Sequence, residues 1–150
     1  MANAGNYYPP VGFHFKVEFG LNGVKDQDFR FQEVAGLNIE IETEPKVSGG
    51  ENRFTQNLPK RVKYNNLVLK RGLLAGSEIY NWLNSAVETM EVDPITVWVS
   101  LLNEQHEALQ TYTFVNAWPV KWSISDFNAE DSKLVIETIE LSYQYFTISN

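Results

Sequence analysis

Alternation of apolar and polar residues dominates the chain. In FHFKVEFGL, residues Phe13, Phe15, Val17, Phe19 and Leu21 fall on one face and His14, Lys16 and Glu18 on the other, the period-2 pattern of a half-buried strand. In LNIEIETE, Leu37, Ile39 and Ile41 share a face opposite Asn38, Glu40, Glu42 and Glu44, and Pro45 ends the run. This predicts a strand with one side on a core and a row of carboxylates on the other. YNNLVLK at 64–70, ITVWVSLL at 95–102, LQTYTFVNAW at 109–118 and LVIETIELSYQYF at 134–146 are further strands, rich in β-branched and aromatic residues. PVKWSI at 119–124 continues the run before it, beyond a kink at Pro119. One stretch alone switches to a helical period. In SEIYNWLNSAVETM the apolar residues Ile79, Trp82, Leu83, Ala86, Val87 and Met90 recur at helical spacing, with Ser77 as N-cap and Asp93-Pro94 as the stop. The expected fold is mainly β: a single antiparallel β-barrel, sandwich-like, with one flanking α-helix, and residues 1–150 forming one domain.

SGGENRFTQNLPKR, from Ser48 to Arg61, stands apart from that pattern. It shows no alternation and is predicted to be a long polar loop, extending over 45–61. Loops of such length inside compact domains are commonly functional, or are ordered by something outside the domain. Charge sharpens the point. Seven of the twelve Lys and Arg residues (Lys46, Arg53, Lys60, Arg61, Lys63, Lys70 and Arg71) lie between positions 46 and 71, where the only acid is Glu51. A basic segment therefore sits on an acidic remainder, within a chain of net charge −7.

Composition excludes more than it selects. The absence of cysteine removes disulfides, a thiol nucleophile and cysteine-based metal sites. The start MANAGNYYPP has neither a basic nor an apolar signal region, which predicts synthesis in the cytoplasm without a signal peptide. No run approaches the roughly 20 apolar residues of a membrane-spanning helix. The acidic balance argues against nucleic-acid binding as the main task. His14 and His106 stand on different elements without carboxylates at metal-ligand spacing, and read as surface residues. The turn DFNAED at 126–131 lacks the alternating ligands and central glycine of a calcium loop. Gly49-Gly50 has no following Lys-Ser/Thr pair and reads as ordinary turn glycines. No Ser/His/Asp arrangement is supported. The expectation is a protein without catalytic, metal or cofactor-binding residues: not an enzyme, but a binding or assembly protein.

YYPPVGFHFKVEF at 7–19, FQEVAGLNIEIETE at 31–44, GGENRF, LPKRVKYNNLVLKRGL and NAWPVKWSISDFNAEDSKLVIETIELSYQYF follow one another along nearly the whole chain. Together they resemble the inner-tube proteins of contractile injection systems and the tail-tube proteins of contractile-tailed phages. FQEVAGL, LVLKRG, NAWP and IETIEL are the most specific parts, and the ending LSYQYFTISN leans towards the injection-system branch. The resemblance implies a small β-barrel that hexamerises into rings stacked as a hollow tube, which sheath contraction drives into a target. Sheath, baseplate and terminator proteins would be partners, with a cargo effector or DNA in the lumen, and the final location would be an extracellular or cell-associated phage-tail-like particle.

In such an assembly Lys46, Glu51, Arg53, Phe54, Lys60 and Arg61, together with Glu40, Glu42 and Glu44, are expected at contacts between subunits. A basic patch on an acidic body suits a heterologous, head-to-tail interface. The polar face of the last long strand, Thr138, Glu140, Ser142 and Gln144, is the candidate lumen lining. Two alternatives stay open. Lys60, Arg61 and Lys63 can instead pair with Glu40, Glu42 and Glu44 of the same subunit across adjacent strands. A secreted lectin-like β-sandwich that stacks Trp98, Trp118 and Trp122 on sugar rings is a second functional class, although the apolar contexts of these residues favour the core.

Overall fold

One long strand organises the molecule. The computed structural model describes residues 14–21, 31–47, 49–50, 53–72, 78–127, 129–130 and 135–149. Its elements are β1 (His14–Phe19), β2 (Glu33–Ala35), β3 (Ile39–Lys46), β4 (Gln56–Tyr64), β5 (Leu67–Gly72), α1 (Glu78–Thr89), β6 (Ile95–Leu102), β7 (Ala108–Ile124), β8 (Ile136–Ser142) and β9 (Tyr145–Ser149). The first half of β7 lies between β6 and β9, and its second half pairs with β8. The strand order is β1-β6-β7-β8-β5-β2, with β9 on β7 and all pairs antiparallel. Among the described residues this path runs from β1 to β2, in a mainly β, antiparallel fold with one helix, as expected.

The expected kink in β7 is present, and its cause is local. Asn116 adopts φ 52°, and the ladder to β8 slips between Pro119 and Lys121. The same corner splits the run expected at 134–146. Gln144 donates its backbone N–H to the Val115 carbonyl at 3.0 Å and accepts from the Asn116 side-chain amide at 2.9 Å, which separates β8 from β9. Bulges of this kind bend the strands that carry them. Here the bend folds two leaves over one core of Val17, Phe19, Leu67, Leu69, Val97, Val99, Phe114, Ile139 and Leu141.

Strand alternation sets what enters that core, charges included. Leu67, Leu69 and Arg71 alternate inward along β5, as do Glu137, Ile139 and Leu141 along β8. Arg71 and Glu137 are register partners, each about 2% exposed, with Arg71 Nε donating to Glu137 Oε2 at 2.8 Å. Trp122 Nε1 donates to the other carboxylate oxygen at 2.7 Å, and the Arg71 guanidinium lies 5.0 Å from the centre of the Phe31 ring. A buried ion pair persists only when its remaining polar atoms are satisfied in this way. Arg71, counted from the sequence as part of a basic segment, is therefore a core residue.

The helix forms where its period predicts, and Ile79, Trp82 and Leu83 are buried beside β7. Trp82 Nε1 donates to the Asp93 carbonyl at 3.1 Å, tying the helix to the stop that follows it. The stripe is shorter than expected: Val87 and Met90 are 74% and 83% exposed. The proposed N-cap, Ser77, and the strand residue Phe13 lie outside the described residues.

The largest correction concerns the region from 37 to 64. Among the described residues β3 and β4 pair only with each other, as a two-stranded ribbon separate from the main sheet. Gln56–Arg61, expected in a loop, form the first part of β4. Pro59 and a register slip opposite Glu42 and Thr43 break the alternation that would have revealed the strand. The face of Ile39 and Ile41, expected to cover a core, is instead exposed to solvent. At the tip, Gly49-Gly50 form a turn, with Gly50 at φ 93°.

Candidate assembly interface

Register divides the ribbon into two unlike faces. Cross-strand partners share a side, so Ile39 and Tyr64, Ile41 and Val62, and Thr43 and Pro59 make one face, and it is apolar. Glu40 and Lys63, Glu42 and Arg61, and Glu44 and Leu58 make the other. On the second face Arg61 Nε donates to Glu42 Oε2. That hydrogen bond and the carboxylate charge raise the Arg61 pKa above its ordinary value. The first face has no such satisfaction: Ile39, Ile41 and Val62 are 48%, 57% and 49% exposed.

Where the ribbon leaves the body, several contacts fix its direction. Gly36, at φ 91°, passes so close to Asn66 that an added Cβ would lie 2.0 Å from the Asn66 carbonyl oxygen. Only glycine fits there, which accounts for the glycine of FQEVAGL. Tyr143 donates its hydroxyl to the Asn65 carbonyl at 2.6 Å, and Asn66 Nδ2 donates to Glu140 Oε1 at 3.0 Å. Tyr64 packs edge-on against Tyr143 and Phe146. Burial, with Tyr64 alongside, pushes the Tyr143 phenol up to about 12. A cleft of about 390 Å³ opens here, lined by Glu42, Arg61, Tyr64, Tyr143 and Gln144 among others.

The structure places the candidate contact residues as follows. Glu40, Glu42, Glu44 and Lys46 stand on β3, Lys60 and Arg61 on β4, and Arg53 and Phe54 in the segment before β4, all but the half-buried Glu42 exposed. Glu51 lies outside the described residues. Pairing within the subunit, one of the two alternatives, is realised for Glu42 with Arg61, while Lys63 faces Glu40. Lys70 lies 3.8 Å from Glu33, and Arg71 is buried against Glu137. Acids distant in sequence thus answer much of the basic segment. What sequence reasoning missed is that the Ile39–Ile41 face is exposed and extends onto β4, for which the Val62-Lys63-Tyr64 alternation was the available signal.

Of the candidate lumen residues, Thr138, Glu140 and Ser142 point to the side of β8 opposite the core, while Gln144 sits at the β8–β9 corner. Thr138 pairs across the ladders with Lys70 and Ser123, and Glu140 with Val68 and Lys121. The tryptophans offer no common stacking platform. Trp98 and Trp118 occupy register positions on the outer face, and Trp122 belongs to the inner rim, where it meets Tyr80 edge-on at 5.8 Å. None of the three is fully buried, contrary to expectation. His106 occupies a tight turn at φ 62°, in which Asn103 Oδ1 accepts the N–H groups of Gln105 and Glu107. The His14 side chain and part of the 126–131 turn lie outside the described residues.

The family described as T4-like virus tail tube protein gp19 matches residues 11–147. The chain belongs to that family. A chain in the anti-feeding prophage baseplate is similar to it at 30% identity, over 95% of this chain and 96% of that one, with a TM-score of 0.85. A chain of the sheath–tube complex of the PVC extracellular contractile injection system is 26% identical over 95% and 93%, with a TM-score of 0.79. Hcp1 from Flavobacterium johnsoniae, at 12% identity, 89% and 93% coverage and a TM-score of 0.52, shares the fold. No curated protein matches the sequence. The tail-tube subunit described here is a structural protein of the class from which contractile injection systems build their tubes. Among its described residues no helix is long and apolar enough to cross a membrane.

Proposed function

We propose that this tail-tube subunit hexamerises into rings that stack as the inner tube of a phage-tail-like injection particle, and that it has no catalytic activity. The family match across residues 11–147 carries the proposal. The subunit is made in the cytoplasm and ends in the assembled particle, where sheath, baseplate and terminator proteins surround the tube. Thr138, Glu140 and Ser142 line the lumen, with Gln144 at its edge. Their common outward side on β8 and their neighbours Ser123, Lys70 and Lys121 support this, since the face is mainly polar and mixed in charge, with Val68 and Trp118 as its apolar members. Such a surface lets a protein effector or DNA pass without holding it.

The ribbon formed by β3 and β4, with its tip around Lys46, Arg53 and Phe54, reaches a second subunit. A two-stranded ribbon is marginal in water by itself, and this one extends from the body with most of both strands exposed. Electron microscopy of the purified protein, alone and with a baseplate nucleator, tests the proposal. Rings or tubes are the expected result, and a chain that remains monomeric in both conditions would overturn it.

A further inference from the structure

We infer that the ribbon engages a second copy of this chain through its apolar face, Ile39, Ile41 and Val62 with Thr43 and Pro59, and that its charged face stays outside the contact. The inference rests on the tube reading and specifies which side of the ribbon does the binding. The charged face is partly paired within the subunit. Glu42 holds Arg61 and Glu40 stands opposite Lys63, while Glu44 stands opposite Leu58, so acids and bases come close to balance on that face. Interfaces generally concentrate apolar side chains at their centre and leave charges at the rim.

The opposite face has the composition of an interface centre and is about half exposed. Among the described residues β3 and β4 contact each other and no other element extensively, and the three aliphatic side chains of this face are about half exposed. A second copy is the fitting occupant, because the family is one of tube subunits and the body carries further exposed apolar residues able to receive the ribbon, Val87 and Met90 at the end of α1. The receiving patch differs from the ribbon itself. A ribbon meeting a ribbon would be isologous and would close as a dimer, whereas tube growth needs two unlike patches on each subunit.

The absence of cysteine allows a clean test. Ile41→Cys and Glu40→Cys each introduce a single thiol, on neighbouring residues of one strand but on opposite faces. Maleimide labelling is compared between free subunits and assembled particles. Assembly should slow modification of the thiol at position 41 by about tenfold or more and leave the one at position 40 nearly as reactive as before. Oxidised Ile41→Cys particles should yield no dimer linked through that residue. Particles that protect position 40 but not 41, or that form the 41–41 disulfide, would overturn the inference while leaving the tube reading intact. Wild-type protein that never assembles would remove both. Circular dichroism of each free variant should match the wild type, since both positions are exposed.

Discussion

The body and the ribbon are built from the same alternating code, yet they use it differently. In the body, alternation along β5 and β8 drives Leu67, Leu69, Ile139 and Leu141 into a shared core, and the charged pair Arg71–Glu137 enters with them because parity places it there. In the ribbon, alternation along β3 and β4 also sorts apolar from charged residues, but among the described residues no second layer covers the apolar side. Period 2 determines which residues share a face. Whether that face becomes a core depends on what the chain places against it.

Breaking the body where its charges are buried should have the largest effect. Glu137→Ala strands the Arg71 guanidinium and should cost about 3–5 kcal/mol in urea unfolding, whereas the double replacement Arg71→Met with Glu137→Leu should be near neutral. Equal losses in both variants would show that shape, rather than the uncompensated charge, sets the cost. Next comes the helix. Leu83→Ala should cost about 2–5 kcal/mol, but Val87→Ala, four residues along the same stripe, should stay within about 0.5 kcal/mol in the free subunit.

The junction between the two regions should respond less. Gly36→Ala forces a Cβ onto the Asn66 carbonyl at a positive φ and should cost about 1–3 kcal/mol, with assembly impaired as the ribbon swings away. Tyr143→Phe removes the hydrogen bond to Asn65 and should cost about 0.5–1.5 kcal/mol near neutral pH. The Tyr143 phenol lies higher in the folded chain than when unfolded, so its contribution is complete below pH 10 and lost as pH rises towards 12. Unfolding curves across that range should therefore fall less steeply for the phenylalanine variant.

The ribbon itself should give the smallest change in stability and the sharpest contrast with the body. Ile41→Ser should alter unfolding of the free subunit by no more than about 0.5 kcal/mol, yet it should abolish rings and tubes in electron micrographs. A large loss of stability would show that Ile41 already belongs to the subunit's own core.

Most strands of the body, the helix and the kink near Pro119 are legible in the sequence, because strand and helix periods arise from local backbone geometry that each residue carries with it. The resemblance to tail-tube proteins is equally legible, spread over motifs such as FQEVAGL and IETIEL. The basic segment between 46 and 71 was legible only as a count. Its partners Glu33, Glu42 and Glu137 come from other strands, and pairing across a ladder depends on register, which no single segment encodes. The strand hidden in Gln56–Arg61 escaped because Pro59 and the bulge disrupt its alternation, so the ribbon is apparent only once β3 lies beside it. The exposure of Ile39 and Ile41 is likewise a tertiary result. Their alternation fixes a common face, but burial needs a second surface within reach, and the crowded turn at Gly36 and Asn66 is part of the junction from which this face leaves the body.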